Sequence, residues 1–168
     1  MNGDVVIRRI RPCDASRFRA LRLEMLADTP LAFILTLADA AAMPHAEWVG
    51  RATRGSAGVQ NAQFIAESGG RLVGNTGAFA HPTDPTRTLL VAVYVSPSHR
   101  GGKVLAAMFD AAAAWSRENG RSTLELEVVT TNARAARAYE KLGFVAEGDL
   151  VPHPTIRTLR EQVMVRPA

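Results

Sequence analysis

The pattern of apolar and polar positions along the chain predicts a mixture of strands and helices. Alternating segments and short apolar runs of strand length recur, separated by turns that contain glycine and proline. Other segments carry apolar residues at helical spacing, as Phe18, Leu21 and Met25 do after Asp14, a residue type that caps helices. The predicted strands are residues 5–10, 63–67, 71–80, 89–95, 124–129, 144–147 and 159–165, and the predicted helices are 14–27, 44–53, 104–119 and 132–141.

This order of elements predicts the fold class. It consists of a strand, helices, three strands, a helix, a strand, a helix and closing strands. Such an order indicates an α/β sandwich with a mixed, mostly antiparallel central sheet flanked by helices on both faces. The nearly unbroken apolar run from Leu89 to Val95 predicts a central strand that is buried on both faces. The 168 residues contain no internal repeat and no domain-sized linker, so we expect a single domain over residues 1–168.

Composition narrows the class of protein. The chain is 47% hydrophobic, with a mean hydropathy near zero, as globular proteins have. It contains no apolar run of membrane-spanning length, and residues 1–11 lack the apolar stretch of a signal peptide, so we expect no membrane association. Cys13 is the single cysteine, which excludes an intrachain disulfide and predicts a reducing, cytoplasmic location.

The net charge of +4 comes mostly from arginine. A basic surface attracts anionic partners, such as nucleic acid or a cofactor that carries phosphate. The arginines are spread along the chain, however, without a long basic tract or a basic stripe rich in aromatic residues. We therefore do not expect a nucleic-acid partner.

The most informative segment is the helix predicted from Asn132. Asn132 is a good N-cap residue type, and Gly143 stands where a helix ends. Asn132 and Tyr139 are seven residues apart, so they fall on nearly the same helix face, roughly 10 Å apart along the axis. Ala135 and Ala136 lie between them and form a shallow floor on which a thin, extended ligand fits. An amphipathic helix that packs its alanine face into the core is equally consistent with this spacing.

A resemblance to a known family favours the first interpretation. The segment has the form Asn-x-x-Ala-x-x-x-Tyr-x-Lys-x-Gly-Phe, with Asn132, Ala135, Tyr139, Lys141, Gly143 and Phe144 in the named positions. It resembles the C-terminal signature of the GCN5-related N-acetyltransferase superfamily, with no position missing. The resemblance implies an acyl-coenzyme A N-acyltransferase fold and acetyl-coenzyme A as co-substrate. It also implies that Asn132 contacts the pantetheine arm and that Tyr139 protonates the departing thiolate.

A glycine-containing turn precedes the helix predicted at residue 104. The chain passes through Arg100, Gly101, Gly102 and Lys103 into Val104. Free backbone N–H groups and the helix dipole make such a turn an anion site, and glycine permits a close approach. A plain strand-to-helix turn also favours glycine, so the pattern alone leaves both interpretations open. The Walker A and dinucleotide-binding glycine motifs are absent.

In the superfamily this turn usually follows the pattern Gln/Arg-x-x-Gly-x-Gly/Ala. With Arg100 in first place, Lys103 and Leu105 stand where small residues are usual; a shift by one residue brings Gly102 and Val104 there instead. The resemblance also implies that the preceding strand, through its backbone, binds pantetheine. The predicted coenzyme A site therefore comprises Val93, Val95, Arg100, Gly101, Gly102, Lys103, Val104, Asn132, Ala135 and Tyr139.

The general base is less well defined. Many superfamily members carry a glutamate at the position of Val91. Glu127 lies in a Leu-Glu-Val segment that resembles ribosomal-protein N-terminal acetyltransferases, in which this glutamate acts as base. A solvated glutamate on the polar face of a strand is the alternative, Glu67 and His81 are weaker candidates, and a relay through water remains open. No metal is expected, because no metal-ligand spacing links His45, His99 and His153.

The sequence thus predicts an acetyl-coenzyme A-dependent N-acetyltransferase, with Tyr139 and Glu127 as catalytic residues. It would act by direct transfer to a primary amine of a small molecule, peptide or protein. The unusual residues at Val91, Lys103 and Leu105 leave open a second interpretation, a non-catalytic module that binds acyl-coenzyme A as a sensor or partner. We include a homodimer among the expected assemblies. The identity of the amine acceptor follows from no pattern in the sequence.

Overall fold

The computed structural model describes residues 4–168. Its strands are β1 Val6–Arg9, β2 Asn61–Ser68, β3 Arg71–Ala80, β4 Arg87–Val95, β5 Thr123–Val129, β6 Val145–Ala146, β7 Val151–Pro152 and β8 Arg160–Pro167. Its α-helices are α1 Ala15–Asp28, α2 Leu37–Ala42, α3 His45–Ser56, α4 Val104–Glu118 and α5 Ala133–Lys141.

The strands form one mixed sheet in the order β1-β2-β3-β4-β5-β8-β6, with β7 also pairing with β8. Neighbouring strands in the described part of the chain are antiparallel except for β4 and β5, which are parallel and joined by the crossover helix α4. This architecture confirms the predicted fold class. No helix within residues 4–168 has the length and apolar character needed to cross a membrane.

Two clusters of buried side chains hold helices on opposite faces of the sheet. One cluster packs α4 and α5 against β5 and includes Phe109, Leu124, Leu126 and Tyr139. The other packs α1 and α3 and includes Phe18, Leu21, Met25, Trp48 and Ile65. Because side chains alternate along a strand, the burial of the leucines of β5 under α4 and α5 sends its glutamates to the opposite face.

A bulge in β4 separates the ends of β4 and β5. Asn75 pairs with Tyr94 and Gly77 pairs with Val91, so β4 carries one residue more than β3 over this stretch. Ala92 takes a positive φ of 52°, and the buried Asn75 side chain donates a 2.8 Å hydrogen bond to its carbonyl. The ladder between β4 and β5 runs from Arg87 only to Leu90. Beyond that point the two strands diverge.

The divergence corrects one prediction about β4. The strand is central, as expected, but it is not buried on both faces along its whole length. Val91, Ala92 and Val93 are only partly buried, because they line the opening that the bulge creates. An apolar run therefore marks a central strand here without marking complete burial.

Several other boundaries differ from those predicted. Helix α3 begins after Pro44, which is its N-cap, and continues to Ser56 instead of ending at Thr53. Helix α2 was not predicted; the Thr36 side chain caps it by accepting a 3.1 Å hydrogen bond from the N–H of Asp39. Strand β7 was also not predicted, because two residues are too few for a periodic pattern.

Candidate active site

The divergence of β4 and β5 opens a cleft of about 580 Å³. One wall is the second half of β4 and the other is the end of β5 together with α5. The turn at residues 99–102 and the first residues of α4 close one side, and Thr29, Ala32 and Phe33 reach the cleft from the segment after α1. Most of the residues predicted to form the site therefore meet in one place.

Helix α5 presents the expected polar ends to this cleft. The Asn132 side-chain oxygen accepts a 3.2 Å hydrogen bond from the N–H of Ala135, which confirms Asn132 as the N-cap. Its side-chain NH₂ group remains as a donor at the cleft wall. Ala135 lines the cleft as predicted, but Ala136 packs against the core and Ala138 lines the cleft in its place.

Tyr139 stands at the inner end of the same wall. Its side chain lies among Phe109 and Phe144, with ring centroids 5.9 and 6.1 Å away, and the residue is 8% exposed. Burial raises the pKa of the phenol to about 12, because the charged phenolate is poorly solvated there. The hydroxyl group therefore keeps its proton near neutral pH and is available as a proton donor.

The glycine turn lies at the mouth of the cleft. Gly101 and Gly102 line the opening and are exposed. Gly101 has a φ of 74°, a conformation that favours glycine. Gly102 has no such requirement, and a Cβ at this position would meet nothing closer than the carbonyl oxygen of His99 at 3.9 Å. The need for glycine imposed by backbone conformation therefore lies at Gly101, not at Gly102.

Arg100 lines the cleft, but its guanidinium is already engaged. It donates a 2.8 Å hydrogen bond from Nε to the carbonyl of Val95 and forms an ion pair with Asp28. The guanidinium carbon also lies 5.4 Å from the centroid of the Tyr94 ring. These contacts fix the turn to the end of β4 and to the end of α1.

Lys103 and Val104 face a second, smaller hollow of about 270 Å³, which Val5 and Ile7 of the first strand region also line. Lys103 is the exposed N-cap of α4 and makes no side-chain capping bond. Leu105 lines the main cleft, so a larger side chain than the superfamily usually has narrows this wall. Contact of these residues with a cofactor stays a prediction.

Glu127 lies in the cleft and is exposed. The other carboxylate and imidazole candidates for a base are engaged elsewhere. Glu67 accepts hydrogen bonds from Arg8 and Arg17, and His81 faces the buried Glu125 at 3.5 Å. Glu127 is therefore the carboxylate that the tertiary structure leaves open to a ligand among the candidates considered.

Sequence reasoning missed two residues next to Glu127. Glu161 on β8 and His153 before it are both buried, and the diagonal register of β5 and β8 brings the side chain of Glu161 within reach of Glu127. His153 had been considered only as a metal ligand. A signal did exist, because His-Pro-Thr occurs twice, at residues 81–83 and 153–155, and each histidine faces a glutamate.

The groups around the cleft fit acetyl-coenzyme A. The edge of β4 beyond Leu90 has no β5 partner, so its backbone groups face the opening. The Asn132 amide provides a further donor, and the backbone of the Gly101–Gly102 turn precedes a helix N-terminus, where anions bind. A narrow opening with backbone donors along one wall suits an extended chain of amides that ends in phosphates.

Comparison with known proteins identifies the family. The model of the Acetyltransferase (GNAT) family matches residues 31–144, and the chain belongs to that family. No protein with a curated function matches the sequence.

Solved structures of the same fold cover nearly the whole chain. A GNAT-family acetyltransferase from Streptococcus pneumoniae has a TM-score of 0.81 and 19% identity, covering 98% of this chain and 99% of that one. The yncA protein of Salmonella typhimurium, whose structure contains acetyl-CoA, has a TM-score of 0.78 and 15% identity, covering 98% and 94%. A ribosomal-protein-alanine N-acetyltransferase from Brucella melitensis has a TM-score of 0.74 and 22% identity, covering 97% and 99%.

Proposed function

We propose that this protein is an acetyl-coenzyme A-dependent N-acetyltransferase that transfers the acetyl group directly to a primary amine of a small molecule or peptide. One observation carries the proposal: the bulge in β4 opens a cleft in which Asn132, Tyr139 and Glu127 meet. Family membership and the acetyl-CoA in the yncA structure support the choice of donor.

Each residue of the cleft takes a role that its environment favours. The bound co-substrate supplies a thioester whose carbonyl carbon is open to attack by an amine. Asn132 and the free edge of β4 hold its extended arm. Tyr139, whose burial keeps the phenol protonated, donates a proton to the departing thiolate. Glu127 accepts a proton from the amine, which must be neutral to attack.

The alternative is a module that binds acyl-coenzyme A without turnover. The position of Leu105 on the cleft wall and the absence of a glutamate at Val91 are the observations that favour it. Both interpretations require coenzyme A binding, so binding alone does not separate them. Release of free thiol in the presence of an amine does.

The test combines calorimetric titration of coenzyme A with a thiol-release assay over a panel of primary amines. We expect binding, and thiol release with at least one amine. Tyr139→Phe should bind coenzyme A nearly as wild type does and should turn over roughly 10²–10⁴-fold more slowly, the usual contribution of a general acid. Binding without thiol release for every amine would favour the non-catalytic module. Wild-type turnover in Tyr139→Phe would remove Tyr139 from the acid role.

A further inference from the structure

A carboxyl pair lies at the acceptor side of the cleft. Glu127 of β5 faces Val163 of β8, and Val129 faces Glu161, so the two glutamates are diagonal neighbours on one face of an antiparallel pair. Glu127 is exposed in the cleft, whereas Glu161 is 9% exposed behind it. This diagonal register brings the two long side chains within reach of each other.

His153 lies beside the buried member of this pair. The backbone N–H groups of Thr155 and Ile156 donate to its Nδ1 at 3.2 and 3.0 Å. Nδ1 therefore carries no proton, and the ring presents Nε2–H on its other side. Nε2 lies 4.0 Å from Oε1 of Glu161. With its own side chain 1% exposed, the ring has little freedom to turn away.

Among residues 4–168, no salt bridge joins an arginine or a lysine to Glu127 or Glu161. The titratable groups that act on Glu161 are Glu127 from β5 and His153 from the turn after β7. The neighbouring Arg160 instead donates to the carbonyls of Arg157 and Leu159. Burial, and then the charge of Glu127, raise the pKa of Glu161, an effect that His153 opposes. Each negative charge in such a pair raises the proton affinity of the other carboxylate, so the doubly ionised pair accepts one proton more readily than a single carboxylate does.

We infer that Glu127 and Glu161 act as one proton-accepting pair that selects protonated aliphatic amines as acceptors, with His153 positioning Glu161. This inference rests on the proposed function and names the class of acceptor. The doubly ionised pair attracts the ammonium group. One proton moves from the ammonium nitrogen to the Glu127 carboxylate and is shared with Glu161, and the nitrogen lone pair becomes free.

Acetyl transfer follows once the amine nitrogen has lost this proton. The C–N bond forms as the C–S bond of the thioester breaks. The nitrogen gives its second proton to water, the thiolate gains a proton from Tyr139, and the Tyr139 phenolate is reprotonated from water. The proton held by the carboxyl pair leaves to water before the next turnover. In this scheme Glu127 is catalytic, and Glu161 is a positioning residue that acts through it.

The pH dependence of kcat/KM tests the inference. Lowering the pH should reduce activity in wild type as the pair gains its proton. In Glu161→Gln the neighbouring charge is gone, so we expect this acidic limb to move to lower pH, with roughly tenfold lower kcat/KM for an alkylamine at neutral pH. For a weakly basic amine such as an arylamine, which is neutral at the assay pH, the loss should be much smaller.

Glu125→Gln is the matched control, because Glu125 lies on the same face of β5 but pairs with Arg87; its pH profile should match that of wild type. Carboxyl NMR titration adds a readout that is independent of activity: Glu161 should titrate at lower pH in Glu127→Gln than in wild type. An unmoved acidic limb in Glu161→Gln, or an unmoved Glu161 titration, would overturn the pair. Absence of thiol release with every amine in wild type would instead overturn the proposed function, while the NMR result would still decide the pairing.

Discussion

Two ends of one face of β5 carry the same residue in opposite environments. At the closed end, Glu125 is buried and accepts a 2.7 Å hydrogen bond from Arg87, which also binds Glu147. At the open end, two residues further on, Glu127 lies in the cleft beside Glu161. Within residues 4–168 no arginine or lysine pairs with either glutamate of the open end.

Each end also has a His-Pro-Thr turn built in the same way. The N–H groups of Thr83 and Asp84 donate to Nδ1 of His81, just as their counterparts donate to His153. Both rings then direct Nε2 to a glutamate, at 3.5 Å in the closed end and 4.0 Å in the open end. The ends therefore differ in their charged neighbours: Arg87 pairs with Glu125 at the closed end, and Glu161 lies beside Glu127 at the open end. We expect the first carboxylate to have a structural role and the second to exchange protons with a ligand.

The largest expected difference between the ends is in turnover. Glu127→Gln should lower kcat/KM for a primary amine by roughly 10²–10⁴-fold, the range of a general base, whereas Glu125→Gln should leave it within a few-fold of wild type. The loss in Glu127→Gln should shrink as the pH rises toward the pKa of the amine, because more of the amine is then already neutral. Steady-state thiol-release kinetics over a pH series measure both effects. Equal losses of kcat/KM in the two variants would show that the two glutamates do not differ in their role in turnover.

For thermal stability we expect the closed end to be the more sensitive of the two. Arg87→Met leaves the buried Glu125 without its cation, and breaking a buried pair from one side is costly. Because Arg87 itself is partly exposed, we expect a moderate decrease in Tm, roughly 5 °C or more for a chain of this size. Differential scanning calorimetry gives the value, with the exposed, unpaired Arg134→Met as control. A Tm unchanged from wild type would mean that Arg87 is not the group that stabilises the buried Glu125.

Replacing each histidine distinguishes its role in holding the His-Pro-Thr turn from its role in facing a glutamate. Asparagine keeps an acceptor for the backbone N–H groups but loses the ring nitrogen that faces the glutamate. We expect His153→Asn to lower kcat/KM roughly three- to tenfold through misplacement of Glu161, and His81→Asn to leave it unchanged. Thiol-release kinetics and the acidic limb of the pH profile report the effect. Identical kinetics in the two variants would show that His153 only holds its turn.

The smallest expected effect is a change in Tm, and it has opposite signs when a glutamate is replaced by glutamine at the two ends. The pKa of Glu161 is raised in the folded protein. Its charge therefore opposes folding once the pH exceeds that raised value, and the cost disappears as the pH falls below the unfolded-state pKa. Glu161→Gln should raise Tm by a few degrees at neutral pH and have little effect at about pH 4. Glu125→Gln should lower Tm at neutral pH. Thermal unfolding at both pH values shows whether Glu161 lowers the stability of the open end, as a residue kept for activity would.

Much of the fold could be predicted from local pattern. The hairpin of β2 and β3, the capped helix α5 and the crossover from β4 through α4 to β5 are confirmed within a few residues, because each depends on periodicity and on turn residues that are close in sequence. The fold class and the family are confirmed as well. The roles of Asn132, Tyr139 and the glycine turn toward a cofactor stay predictions.

The parts that could not be predicted depend on contacts between distant residues. The bulge at Ala92 has no local signal, since alanine does not favour a positive φ; the side chain of Asn75 on the next strand holds it. Arg100 was predicted as part of the coenzyme A site, and no sequence pattern indicated that Asp28 at the end of α1 engages its guanidinium. Neither partner is close in sequence to the residue that it fixes.

The sequence by itself determined which elements form and which residue types are available for acyl transfer, because helix and strand periods, caps and turn residues act over a few positions. The tertiary structure decided which of these residues lie together in the cleft. The alternating pattern of β5 does not distinguish Glu125 from Glu127, and the two His-Pro-Thr turns have the same sequence. Only the packing of β4 and β8 beside β5 places Arg87 at one glutamate and Glu161 at the other. Since the charge of a carboxyl group depends on its neighbours in space, folding sets the electrostatic environment of each glutamate.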